Sequence, residues 1–276
     1  MTLHYKECKT KIALYVLCFI WTCMVLGQSE KIAFLQNDAI ALAPPRIEVD
    51  SLLFKEYAVA KLILGDDQCE IRYTLDGNEV NKNSSLYSKP IRLNETGLLR
   101  AKGFHPQHKP SETIHVSVRK IQRSISTSEV TTTPEPHQNY TGQGAKTLVN
   151  LQKGSVNFRS SDCWLGFQDL KIKTQLKFEK STEIKRVVFS LLNDQDSWIF
   201  LPKDITIHSE GKEIGSRIVL ESDKKQTKFT SFFEVEVSQA RYAQIDITIT
   251  PLKEIPAWHP GKGTLPWTFI DEILIE

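Results

Sequence analysis

Outside the N-terminal apolar run the sequence holds four tryptophans: Trp164, Trp198, Trp258 and Trp267. Trp258 stands in Pro256-Ala257-Trp258-His259-Pro260-Gly261-Lys262-Gly263. This turn-rich stretch brings together an aromatic ring, a titratable donor and acceptor, and a cation. Such a loop suits a polyhydroxylated ring, whose apolar C–H faces stack on indole while polar neighbours bond the hydroxyls. Trp258, His259, Lys262 and Trp267 are therefore the expected ligand-contacting residues. The competing reading of the same loop is a plug, folded back over its own domain with Trp258 inward. Trp164 adjoins Leu165, and Trp198 adjoins Ile199 and Phe200, so both are expected in a core.

Other chemistry is poorly served, and no catalytic residue is expected. Gly142-Gln143-Gly144-Ala145-Lys146-Thr147 lacks the spacing of a phosphate-binding loop, which needs Gly immediately before Lys and a helix after it. His105 and His108 flank Pro106, which argues for a loop rather than a helical metal site. No Gly-x-Ser-x-Gly nucleophile elbow is present, nor any Cys/His zinc spacing. Asp66-Asp67 and Asp271-Glu272 are acidic pairs, but neighbours on a strand point to opposite faces, so neither pair is expected to face across a substrate cleft.

The elements that must position these residues read as short strands. Ala58–Leu64, Glu70–Leu75, Leu98–Phe104 and Thr113–Val118 form one group, with Asp76-Gly77 as a hairpin signal. Lys185–Leu192, Ile205–His208, Arg217–Leu220, Phe232–Val237, Tyr242–Thr250 and Ile270–Ile275 form another, which suggests a β-sandwich or jelly roll. No amphipathic helix of useful length appears. Between the groups, residues 121–138 are rich in Ser, Thr, Pro and charge and read as an extended linker.

With 276 residues, 40% of them hydrophobic and 25% charged, the chain has globular composition and room for two domains. A basic start, the apolar run Ile12–Leu26 and Gly27 fit a secretory signal peptide over residues 1–27, cleaved after Gly27; the alternative is an uncleaved anchor. Cleavage takes Lys6, Lys9, Lys11 and Glu7 away and leaves a formally neutral chain with no transmembrane anchor. Neutrality argues against a nucleic-acid partner, which would need clustered basic surface. Of the five cysteines only Cys69 and Cys163 remain, in different expected domains, so a disulfide is not expected.

Two stretches carry family resemblances. Ile71–Val80, Leu86–Leu93, Leu98–Phe104 and Lys109-Pro110-Ser111 closely resemble the small fibronectin-III-like module at the C-terminus of chitobiases and β-hexosaminidases. The stretch from Gly142, with Cys163–Phe167, Ser197–Ile205, Trp258–Gly263 and Trp267–Ile273, resembles a discoidin-like, coagulation-factor type C domain of the subgroup appended to secreted bacterial glycan enzymes. The resemblances imply an all-β protein: a fibronectin-III-like sandwich followed by a discoidin-like jelly-roll sandwich. The expected order is signal peptide at 1–27, lead-in at 28–43, first module at 44–120, linker at 121–138 and second module at 139–276.

The resemblances also imply a role. A glycosidase tail without its catalytic barrel implies a non-catalytic, secreted or periplasmic accessory protein that binds glycan through loops of the second module. The alternative is a structural or interaction module that docks a partner glycosidase without binding sugar. No cofactor is expected, except that discoidin-like modules often carry a structural calcium near the two ends of the domain. Asn150 and Glu272 match those positions. The loop reads Leu148-Val149-Asn150-Leu151 where the family has Leu-Thr-Asp-Gly, a departure that weakens the site.

Overall fold

Alternation of buried and exposed side chains builds the first sandwich. In a computed structural model, residues 41–65, 68–160, 162–219, 226 and 228–276 are described. The expected signal peptide, most of the lead-in and the Asp66-Asp67 pair lie outside them. The first eight strands are β1 (Arg46–Val49), β2 (Leu53–Phe54), β3 (Ala58–Ile63), β4 (Glu70–Thr74), β5 (Ser85–Leu86), β6 (Ile91–Leu93), β7 (Gly97–Phe104) and β8 (Ile114–Lys120). They form a three-stranded sheet, β1-β3-β6, and a five-stranded sheet, β2-β8-β7-β4-β5. Ala58, Ala60 and Leu62 of β3 face Ile71, Leu99, Ala101 and Val118 of the larger sheet in one apolar cluster. Asp76-Gly77 closes no two-residue hairpin, because β4 and β5 pair through Arg72–Leu86 and Tyr73–Ser85 around a longer loop. Asp76 instead turns the chain locally, accepting from the backbone N–H of Asn78 at 3.0 Å and its side-chain amide at 2.7 Å.

The second set comprises β9 (Glu129–Thr133), β10 (Gly142–Ala145), β11 (Leu165–Phe167), β12 (Ile172–Asn193), β13 (Asp204–Ser209), β14 (Lys212–Ile218), β15 (Phe229–Thr250) and β16 (Thr268–Ile275). Two 22-residue strands organise it. The first half of β12 lies between β9 and the second half of β15, which continues to β13 and β14. The second half of β12 lies between β16 and the first half of β15. Register shifts between Lys177 and Thr182 and between Ile184 and Arg186 mark where the ladder bends from one layer into the other. Ile172, Leu176, Val187, Phe189, Leu191, Ile205, Ile207, Ile245, Ile247, Ile270 and Ile273 fill the space between the layers. Phe232–Val237 and Tyr242–Thr250, expected as two strands, are thus parts of one.

The protein is all-β and two-module. The short helical pieces among the described residues are the 3-10 turns Lys146–Val149, Phe158–Ser160 and Gln195–Ser197. No helix among those residues is long and apolar enough to cross a membrane. Cys163 is a half-buried free thiol.

The stretch 121–138 departs from the expected linker. Its Glu129–Thr133 is an edge strand paired with β12 from Thr133–Lys173 to Glu129–Lys177. Ile125 is buried in the main core of the second sandwich. The alternating Val130 and Thr132 face inward while charged and hydroxylated neighbours face out, so polar composition here marks an edge strand.

The modules also share a joint. Leu53 of β2 packs with Val188 of β12 and Leu274 of β16, flanked by Ile121, Leu151 and Phe232. Beside this patch the Arg119 guanidinium, 4% exposed, binds Glu276 and Glu234. Arg186 bonds Glu276 from the other side and reaches Glu236. Burial raises the Glu234 carboxyl, but the Arg119 hydrogen bond and the charges of Arg119, Arg186 and Arg217 outweigh it and hold that carboxyl below its usual range. Leu42–Pro106 and Pro110–Glu276 together make one compact unit.

Candidate functional site

The loop that carries Trp258 is closed at its base. Ile255 is buried and donates to the Thr264 carbonyl at 2.8 Å, while the Gly263 N–H returns to the Ile255 carbonyl at 3.1 Å. Inside it, His259 N–H bonds Pro256 O, Lys262 N–H bonds His259 O, and the Thr264 hydroxyl bonds Gly261 O at 2.7 Å. Gly263 takes φ +78°, a left-handed turn that favours glycine. The result is a small Ω-type loop fixed by its own hydrogen bonds.

The plug of this loop is His259 rather than Trp258. His259 is 5% exposed and both ring nitrogens are engaged. Its Nδ1 accepts from the Gly261 N–H at 3.0 Å, which leaves the proton on Nε2, and that N–H donates to the Gln195 carbonyl at 2.8 Å. His259 therefore tethers the loop to the Gln195–Ser197 turn and has no ring nitrogen left for a ligand. That corrects its expected role as a contact residue.

Trp198 is the second correction, in the opposite direction. It closes the Gln195–Ser197 turn at φ +63°, with its N–H on the Gln195 carbonyl at 2.9 Å. A bulky residue in the left-handed region costs roughly 1–2 kcal/mol. This turn sends Ile199 and Phe200 into the core and leaves the Trp198 indole outside, 41% exposed. Asp194 supports the turn by exchanging backbone hydrogen bonds with Ile199 and pairing with Lys228 at 2.8 Å. The signal was present in the polar run Asp194-Gln195-Asp196-Ser197, which reads as a turn.

Trp258, 39% exposed, packs against the same imidazole. The His259 ring lies 6.3 Å from Trp198 and 5.5 Å from Trp258, edge-on to each. Gly261 fits here because a Cβ would come within 3.0 Å of the Trp198 ring. Lys262 is exposed on the same loop. Trp267 is joined to Trp198 by backbone, its N–H on the Trp198 carbonyl at 2.9 Å. Its half-buried ring packs instead against His137, Tyr140 and Phe269. The constellation is thus Trp198, His259 and Trp258, with Lys262 on the rim and Trp267 beneath. A cleft of about 820 Å³ lies between the β13–β14 turn and the middle of β15, lined by Glu210, Lys212, Arg241, Tyr242 and Gln244 among others, and shares no residue with these loops.

Asp271 and Glu272 form a separate buried cluster. Ser190 of β12 pairs with Glu272 and Leu191 with Ile270, so Asp271 is the extra residue of a β-bulge. The bulge breaks the expected opposite-face alternation, and both carboxyls meet the loop at 150–154. Asp271 Oδ2 accepts from Lys153 Nζ at 2.9 Å and from the Gly154 N–H at 2.6 Å. Glu272, at 0% exposure, has no hydrogen-bond partner of normal geometry on either oxygen. Burial and the Asp271 charge push the Glu272 carboxyl up to about 9, although the N–H groups of Leu151, Gln152 and Ile273 pull the other way. Burial raises Asp271 too, with Lys153 opposing. Neither carboxyl reaches a surface where substrate could meet it.

The same residues do not fit a calcium ion, which needs six to eight oxygens. Asn150 Oδ1 accepts from the Gln152 N–H at 2.9 Å, and its Nδ2, a donor, is the buried atom left without a partner. The groups turned toward Glu272 are N–H donors, and the adjacent positive charge is Lys153. Among the described residues no group of three or more His, Cys, Asp or Glu side chains is placed to hold a metal. Leu151 in that loop takes φ +64°, in the left-handed region that favours glycine.

No curated protein matches the chain. Among solved structures, CpGH89CBM32-5 from Clostridium perfringens, in complex with GalNAc-beta-1,3-galactose, is 13% identical with a TM-score of 0.36, covering 55% of this chain and 96% of its own. A Streptococcus pneumoniae fucose binding module is 11% identical with a TM-score of 0.38, covering 55% and 94%. The C-terminal domain of a Bacteroides fragilis chitobiase is 15% identical with a TM-score of 0.32, covering 56% and 95%. Likenesses at these scores fix neither ligand nor chemistry. Residues 56–115, by contrast, match the family model of the chitobiase/beta-hexosaminidase C-terminal domain, and that stretch lies within the first sandwich of this two-module, all-β chain.

Proposed function

We propose that this chain is a non-catalytic, secreted or periplasmic accessory protein that binds carbohydrate at the end of its second sandwich. The observation that carries the reading is the pair of partly exposed indoles, Trp198 and Trp258, both packed edge-on to a buried, fully bonded His259. Rigid aromatic faces at a loop rim suit the C–H faces of a pyranose, and they lose little conformational entropy on binding. Lys262 would bond hydroxyls or a ring substituent. His259 and Trp267 act beneath the surface, holding the two ring-bearing segments in place. The match of residues 56–115 to a domain named for chitobiase and hexosaminidase supports a setting beside a glycosidase. Removal of residues 1–27 as a signal peptide is part of the same proposal.

A glycan-array screen of residues 28–276 tests it, run with Trp198→Ala and Trp258→Ala and with near-UV circular dichroism as the folding control. Binding by the unmodified chain that both folded variants lose supports the reading. Absence of binding across amino sugars, plant and host glycans overturns it in favour of docking to a partner glycosidase, for which exposed tryptophans are equally suitable anchors.

A further inference from the structure

The buried cluster at the bulge points to a cation that the chain supplies itself. Lys153 Nζ lies 2.9 Å from Asp271 Oδ2, with both side chains almost or fully removed from water. The ammonium also donates to the Gly154 carbonyl at 3.0 Å. Its remaining surroundings are aromatic: Nζ is 4.9 Å from the Trp164 ring centroid and 5.7 Å from that of Phe232. This is a saturated cation site, with a carboxylate, a carbonyl and two ring faces around one charge. Gly154 is committed to the arrangement, because a Cβ there would fall 2.3 Å from Trp164 Nε1. Leu151, in the same loop, packs into the apolar patch that contains Leu53 of the first module.

We propose that the Lys153 ammonium is a resident cation: it ties the loop at 150–154 to the β16 bulge and makes that junction independent of divalent metal. The charge that holds the domain's two chain-distant segments together is thereby covalently attached, and cannot be stripped by a chelator or diluted away. Ion-pair geometry makes a testable distinction. Removing either partner alone strands a buried charge, whereas removing both leaves two neutral groups.

The test is thermal unfolding of the full chain in calcium and in EDTA, for the unmodified protein, Lys153→Met, Asp271→Asn and the double variant. The unmodified protein is expected to show the same Tm in millimolar calcium and in EDTA. Each single variant is expected to lose on the order of 10 °C, and the double variant to lose clearly less than the two losses added. A calcium-dependent rise in the Tm of the unmodified protein overturns the proposal. So does strict additivity, which would reduce the contact to two independent packing effects. If Lys153→Met does not fold, the calcium and EDTA comparison on the unmodified chain and the Asp271→Asn variant still decide.

Discussion

Arg119 of the first module donates twice to one oxygen of Glu276 in the second, from Nε at 2.9 Å and Nη2 at 2.7 Å, while its Nη1 reaches Glu234 at 2.8 Å. With the guanidinium nearly excluded from water, the pair is worth far more as a matched set than as separate charges. Arg119→Ala is expected to cost about 3–5 kcal/mol, whereas Arg119→Met with Glu276→Gln costs less than either change alone. Urea unfolding of the four species in a double-mutant cycle checks this.

His259 has both ring nitrogens bonded within the fold and packs edge-on to both indoles. His259→Ala removes both tethers, orphans the Gln195 carbonyl and is expected to destabilise by about 2–3 kcal/mol. Amide hydrogen exchange should accelerate first across residues 255–264 and 195–199, before the sandwich core responds. Uniform acceleration would show that the loop has no stability of its own.

Binding, where the array supplies a sugar, should divide unequally among the expected contacts. Trp198→Ala and Trp258→Ala should each weaken affinity at least tenfold, or about 1.4 kcal/mol. Trp267→Phe, beneath the rim, should change it by less than about threefold. Titration calorimetry on the three variants separates rim from support.

Glu272 predicts a pH dependence. The folded chain keeps a proton on this carboxyl up to about pH 9, while the unfolded chain releases it near 4.5. Unfolding therefore releases a proton throughout that window, and stability falls as pH rises, by at most about 1.4 kcal/mol per pH unit from this group. Glu272→Gln should flatten the decline, so that the variant gains on the unmodified protein between pH 5 and pH 8. Chemical denaturation at four pH values reads the difference.

Much of the strand pattern was legible because alternation in a half-buried strand is written directly in residue type. Ala58–Ile63 and Tyr242–Thr250 are clear cases. Trp198 reads as core because its apolar neighbours Ile199 and Phe200 outweigh the polar run Asp194–Ser197 that marks the turn just before it. Edge strand β9 was hidden by its composition, since an edge facing water uses threonine and glutamate as a linker does. The Asp271-Glu272 pair defeated the alternation rule through a bulge, whose position depends on the partner strand β12 rather than on the pair itself. The Lys153–Asp271 bond joins residues 118 positions apart, a distance over which local spacing carries no information.

Strand β9 finally bears on how such modules pass between proteins. The expected border between residues 138 and 139 is a false seam, since a cut there would leave β12 without its neighbour from Thr133 to Glu129 and would uncover the core at Ile125. A transplantable second module begins upstream of Ile125. Recombination that respected only the Pro-rich stretch would deliver a domain with an open flank, primed to borrow a strand from another copy of itself.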